Sequence, residues 1–242
     1  NGVSTRDMPL AYAQVLLEGD AGSTVEMSVI RVRKGTDSEA VKLTRAAVAQ
    51  PGLTEKKFAD NVAYLRIPTL ETGRTAQVKQ VLQRIDKAGA QKLVLDLRYC
   101  ASGVAEEGVA LANLFVEKGL LTYVQGQKVP RRDFTAAANA VAWKKPVVIV
   151  MNRGTAAGCE VAASAMASAG RVQAVGERTY GDAAQRKAVT MDDGAAIILS
   201  VAKYYSPEGK SIQDNGVPPT VAVAEFDFTG QSPDEIDLNS VL

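Results

Sequence analysis

Two nearly continuous apolar runs constrain this chain most. "KLVLDL" (Lys92 to Leu97) and "PVVIVM" (Pro146 to Met151) are each short, each ends in a polar or glycine-bearing loop, and each is followed by a stretch with helical spacing. Runs of this length that do not alternate fit strands covered on both faces. "VAYLRIP" (Val62 to Pro68) is a third strand, followed by a helix over about Thr75–Ala88 with Val78, Val81, Leu82 and Ile85 on one face. Another helix is expected over Ala105–Glu117, and "LLTYVQ", "VQAVG", "RKAVTM" and "AAIILSVAKYY" read as later strands. Alternating strands and helices argue for an α/β core with parallel strands and flanking helices. Ligands in such folds bind beyond the strand carboxyl ends, which singles out "RYCASG" after the first run and "NRGTAAG" after the second.

The first part of the chain follows a different pattern. A short amphipathic helix over about Leu10–Leu17, stopped by Gly19, precedes the alternating strand "TVEMSVIRVRK", with Val25, Met27, Val29 and Arg31 on one side, and a second strand "EAVKLTR". These elements are too few to bury a core alone. A division into residues 1–46 and 47–242 follows from that change of pattern. The acidic stretch from about Asp227 is expected to be a mobile end.

Composition removes several classes of function. Among 242 residues there is no histidine, which excludes Ser-His and Cys-His catalysis and histidine-bearing zinc motifs. Lysine, carboxylates, tyrosine and thiols remain as acid–base groups. Cys100 and Cys159 are the two cysteines, too few for a four-cysteine zinc site; they are two buried thiols or one disulfide. A net charge of +1 leaves no electrostatic footprint for nucleic acid. No apolar run approaches the ~20 residues that span a bilayer. No cofactor or metal is expected. The opening "NGVS" carries no signal segment and reads as lying inside a longer protein.

Taken in order, five segments resemble the carboxyl-terminal processing proteases, also called tail-specific proteases. The opening residues through "VEMSVIR" resemble the second half of a PDZ domain. "VAYLRIP" is similar to the family's first core strand, and "LVLDLRYCASG" to its Asp-Leu-Arg-Asn-Asn-Pro-Gly-Gly element. "RVQAVGERTYGDAAQ" resembles its Val-Gly-Glu-x-Thr-Phe-Gly-Lys-Gly-x-x-Gln element, and "AKYYSPEGKSIQDNGVPPTVAV" its Tyr-Tyr-Thr-Pro segment. The resemblance implies a mixed α/β core of the ClpP and crotonase type beside a partial PDZ domain. It also implies a serine peptidase with a Ser-Lys dyad, acting on apolar C-termini of exported proteins. A periplasmic or extracellular location, protein or peptide C-termini as partners, and self-association into a homo-oligomer come with it.

Carried over residue by residue, the resemblance leaves the dyad empty. The nucleophile lies three residues before a glutamate; Glu160 is that glutamate, so the position is Ala157. The lysine follows the glycine matched by Gly181, so its position is Asp182. Gln185 falls at the glutamine that supports the lysine, one residue early. In the oxyanion loop Tyr99, Cys100, Ala101 and Ser102 replace Asn, Asn, Pro and Gly, while Gly103 is kept; Gly158 follows the nucleophile position. A methyl group cannot attack a carbonyl, and a carboxylate cannot stand in for a neutral amine. Degeneration of the site is therefore the leading expectation. The alternative is a rearranged peptidase using Thr155, Ser102 or Cys159, with Lys203 as a candidate base; for Thr155 the competing role is a helix-cap hydroxyl. Glu160, Asp96 and Arg98 read as structural hydrogen-bonders, and Asp182 as the partner of Arg186 or Lys187. Because the resemblance places the oxyanion loop against the nucleophile helix, Cys100 and Cys159 are a candidate disulfide.

Overall fold

The computed structural model describes residues 8, 13, 16–30, 38–47, 50–191 and 196–224. The chain divides into two compact units, residues 1–50 and 51–242.

In the first unit, β1 (Thr24–Ile30) pairs antiparallel with β2 (Ser38–Thr44), Met27 opposite Val41. Val25, Met27 and Val29 form the half-buried side, as their alternation predicts; Arg31 lies outside the described residues. Most of the helix expected over Leu10–Leu17 also lies outside them, although Ala13, Leu16 and Leu17 are helical. The Arg45 guanidinium donates to the carbonyls of Leu16 and Leu17 and to the Ser23 hydroxyl, so one side chain closes the helix end onto the hairpin. None of the described residues of this unit is fully buried.

The second unit is a mixed α/β structure. Its six-stranded sheet contains β3 (Thr54–Lys57), β4 (Val62–Arg66), β5 (Lys92–Asp96), β8 (Val147–Met151), β9 (Gln173–Gly176) and β12 (Val221–Ala222), in the order β12-β9-β8-β5-β4-β3. All neighbours are parallel except β3 with β4. Leu65, Leu93, Leu95, Ile149 and Met151 point from it into the core. Among the described residues this unit has three α-helices, α1 (Arg74–Lys87), α2 (Ala105–Asn113) and α3 (Gly158–Ser168), with α2 against both α1 and α3 and α3 against β9. Every residue of α3 from Gly158 to Met166 is buried, which suits a helix of mostly small and apolar residues, with Glu160 and Ser164 as its buried polar members.

Of the expected later strands, "VQAVG" joins the six-stranded sheet as β9, and the others lie elsewhere. β6 (Leu120–Gln125), β7 (Arg132–Thr135), β10 (Ala184–Thr190) and β11 (Ala196–Tyr205) form a separate antiparallel sheet, ordered β10-β11-β6-β7. Helix α2 stops at Asn113 rather than Glu117. The Asn113 side-chain oxygen accepts the Ala137 N–H (2.8 Å), and Leu114 and Phe115 turn inward, both buried.

Helix crossings bring the strand-end loops together. A Cβ on Gly108 of α2 would lie 2.1 Å from the Gly158 carbonyl oxygen, and one on Gly158 would lie 2.5 Å from that of Val104. Only glycine permits this approach of α2 to the start of α3. Helix α1 begins at Gly73 without a side-chain cap of its own. Glu107 of α2 supplies the missing acceptor, taking the N–H groups of Gly73 (2.6 Å) and Thr75 (2.9 Å).

Candidate active site

Three loops leave adjacent strands at one end of the six-stranded sheet. Residues 97–104 follow β5, 152–157 follow β8 and 177–183 follow β9. Since β8 lies between β5 and β9, the 152–157 turn is flanked by the other two.

Ala157 closes the central turn with φ 54° and ψ −129°, just before α3. Few L-residues adopt this conformation, and it costs about 1–3 kcal/mol wherever it persists. A sharp strand-to-helix turn of this kind lifts a serine into reach in hydrolases. Here the side chain is a methyl group. The strain is held from both sides: the Ala157 N–H donates to the Asp182 carbonyl (3.0 Å) and the Ala156 N–H to the Cys100 carbonyl (2.9 Å). Gly158 opens α3, so its N–H has no acceptor within the helix.

Cys100 and Cys159 are joined by a disulfide, both fully buried, with Cα atoms 6.1 Å apart. The bond fastens the 97–104 loop to the first turn of α3. Gly103 lies in the same loop at φ +116°, where a Cβ would lie 2.1 Å from the Leu70 carbonyl oxygen.

On the other flank, Glu160 is fully buried. Its carboxylate accepts the Thr179 hydroxyl and the N–H groups of Gly181 and Asp182, each of the last two at 2.7 Å. Burial pushes this carboxyl above its ordinary range; the three donors oppose the rise, and nearby Asp182 adds to it. The Asp182 side chain is salt-bridged to Arg186 rather than Lys187. The Gln185 amide donates to the Tyr204 hydroxyl (3.4 Å).

Two of the alternative nucleophiles, Thr155 and Cys159, and the candidate base Lys203 are committed elsewhere. Thr155 is fully buried, its hydroxyl donating to the Leu97 carbonyl (2.9 Å) and accepting the Asn152 N–H (3.2 Å). It is therefore not a helix cap: it bridges the end of β5 to the turn after β8. Thr155→Ala is expected to cost about 1–3 kcal/mol of stability, because it takes the acceptor from the buried Asn152 N–H and leaves the Leu97 carbonyl with the Cys100 N–H as its remaining donor. Chemical denaturation of the two proteins checks this. Cys159 has no free thiol. The Lys203 amine donates to Asp214 (2.7 Å), which raises its pKa and keeps it charged. Ser102 is half-buried and its carbonyl accepts the Leu70 N–H (3.2 Å).

Asp96 and Arg98 tie the end of β5. Burial alone would raise the Asp96 carboxyl, but the Arg98 guanidinium and the Tyr64 hydroxyl (2.7 Å) outweigh it and hold the carboxyl below its usual range. Tyr64 is pushed up to about 12 by burial and by that carboxylate. Asn152 was not among the expected site residues. Its buried side-chain oxygen accepts the N–H groups of Tyr99 (3.1 Å) and Gly154 (3.0 Å), joining two loops. A polar residue closing an apolar run was the available signal. Among the described residues no group of carboxylates and thiols is arranged to hold a metal, and no helix is long and apolar enough to cross a membrane.

The sequence profile of peptidase family S41 matches residues 61–223. The chain belongs to peptidase family S41. Among its relatives, the chloroplastic C-terminal processing peptidase of Tetradesmus obliquus is 29% identical over 238 residues, covering 91% of this chain and 50% of that protein. The carboxy-terminal processing protease CtpA of Bacillus subtilis is 27% identical over 228 residues, covering 94% of this chain and 48% of that one. The structure of the photosystem II D1 C-terminal processing protease superposes with a TM-score of 0.76 at 29% identity, covering 92% of this chain and 61% of that chain. This S41 chain thus spans about half the length of the two sequence relatives.

Proposed function

We propose that this chain is a catalytically degenerate C-terminal processing protease, one that holds protein tails without cutting them. The observation that carries the reading is the turn at Ala157: its strained backbone is kept and clamped, yet it presents a methyl group where a nucleophile is needed. Asp182, at the lysine position, adds a carboxylate paired with Arg186. Such a group supplies no neutral amine and opposes an oxyanion. A rearranged peptidase finds no support in Thr155, Cys159 or Lys203, whose functional atoms are bonded or paired.

Residues 1–46 are assigned in this reading to the second half of a PDZ domain and residues 47–242 to the protease-like core. A periplasmic or extracellular setting is part of the proposal, supported by the buried disulfide, since such bonds persist in oxidising compartments. Self-association into a homo-oligomer belongs to the same reading.

The test uses an unstructured protein with an apolar C-terminus. Its fluorescence anisotropy is expected to rise on adding this chain, and its intact mass is expected to stay unchanged after prolonged incubation. Shortening of the client from its C-terminus would overturn the proposal, as would a flat anisotropy curve.

A further inference from the structure

Two large aromatic side chains stand in solvent on either side of the Ala157 turn. Tyr99 is 59% exposed and Tyr180 is 71% exposed. Neither exposure is explained by the core.

Tyr99 is held at φ 59°, a left-handed conformation that a bulky residue adopts only at a cost. The backbone there is fixed by the Tyr99 N–H donating to the Asn152 side chain, and by the disulfide of the next residue. Its ring passes so close to Gly154 that a Cβ on that glycine would lie 2.5 Å from the ring's Cδ1. The ring thus has a fixed seat on the central turn while still facing water. Tyr180 is fixed from the other flank. Its N–H donates to the Thr155 carbonyl (3.0 Å), and its neighbours Thr179 and Gly181 are both bonded to the buried Glu160. Two exposed rings on pre-ordered backbone lose little freedom when a ligand covers them, and that favours binding.

The origins of the two loops suit an extended ligand. The two loops leave β5 and β9, which are two strand positions apart in the sheet. That places their origins about 10 Å apart, the length of about three residues of extended chain. We propose that Tyr99 and Tyr180 are the anchoring residues of a site for an extended polypeptide segment, which crosses the Ala157 turn with apolar side chains against the two rings. This rests on the tail-holding reading and names the residues that determine its affinity. The site lies wholly within the core unit.

The experiment titrates a short fluorescein-labelled unstructured peptide with an apolar C-terminus into the intact chain. It compares Tyr99→Ala, Tyr180→Ala, the corresponding phenylalanine variants, and Phe58→Ala at the opposite end of the sheet. Each alanine variant is expected to weaken binding about tenfold, as buried aromatic anchors do. The phenylalanine variants and Phe58→Ala are expected to bind as the unaltered chain does, and a peptide with serine in place of its apolar residues is expected to bind weakly. Equal affinity for the unaltered chain, Tyr99→Ala and Tyr180→Ala would overturn the anchoring role and leave the tail-holding reading intact. Absence of binding by the unaltered chain would overturn both. Thermal unfolding of each variant shows whether the fold is kept; should Tyr99→Ala lose it, Tyr180→Ala and the serine peptide decide the matter.

Discussion

Replacing Cys100 and Cys159 together with alanine is expected to lower the unfolding free energy by about 4 kcal/mol. The bond joins residues 59 apart in sequence. In the chain-entropy account, a loop of that length restricts the unfolded ensemble by about 4 kcal/mol. The loss of packing is small by comparison, since alanine keeps the Cβ of each fully buried side chain. The larger consequence is local. The disulfide holds the 97–104 loop against α3, beside the bond from the Ala156 N–H to the Cys100 carbonyl. Without it, the left-handed Tyr99 and the turn at Ala157 rely on hydrogen bonds alone. Urea denaturation of the oxidised chain and of the double variant measures the difference. A midpoint that does not move would mean that the reduced unfolded chain is already constrained.

Glu160→Ala is expected to cost about 3 kcal/mol or more. It leaves the Thr179 hydroxyl and the N–H groups of Gly181 and Asp182 without their acceptor in a buried setting. The effect does not end there, because the Thr179 hydroxyl oxygen also accepts the Val217 N–H (2.7 Å), so the chain of bonds runs from α3 through the 177–183 loop to residue 217. Glu160→Gln keeps one acceptor oxygen but turns an amide N–H₂ toward a donor, and falls between the two.

The same residue predicts a pH dependence. Burial raises the folded-state pKa of Glu160 above its unfolded value, so the folded chain holds this proton more tightly. Its contribution is full below the ordinary glutamate value of about 4.3 and is lost as pH rises through the folded-state pKa. Asp96, with its lowered carboxyl, contributes in the opposite sense, above the ordinary aspartate range. Stability curves for the unaltered chain and for Glu160→Gln, measured against pH, separate the two. The downward slope above about pH 4 is expected to vanish in the variant.

The parallel half of the fold was legible because its strands are short apolar runs and its helices carry their spacing openly. β3 was not: "TEKK" is fully exposed, contains no apolar residue, and is a strand only because it pairs with β4. The separate antiparallel sheet was hidden for a related reason. β6 and β11 read correctly as strands, but their pairing joins residues about 80 apart, Tyr204 with Val124, and no local pattern encodes a partner. At the site, the turn at Ala157 follows from an apolar strand meeting a helix of small residues. Thr155 misled because its hydroxyl could cap a helix locally, whereas it reaches across to the Leu97 carbonyl. Nothing along the linear sequence marks Glu107 as a cap for another helix, and only the packing of α2 beside α1 makes it one. The residues that escaped a linear reading are those whose polar atoms are satisfied by another element.

The measurement that bears most directly on the central claim is turnover. The unaltered chain and Thr155→Ala are incubated at rising concentration with an unstructured protein ending in apolar residues, and new C-termini are mapped by mass. The account predicts no new C-termini in either sample at any concentration. Cleavage that grows with the concentration of the unaltered chain and disappears in Thr155→Ala would contradict it and would make the buried Thr155 hydroxyl a nucleophile.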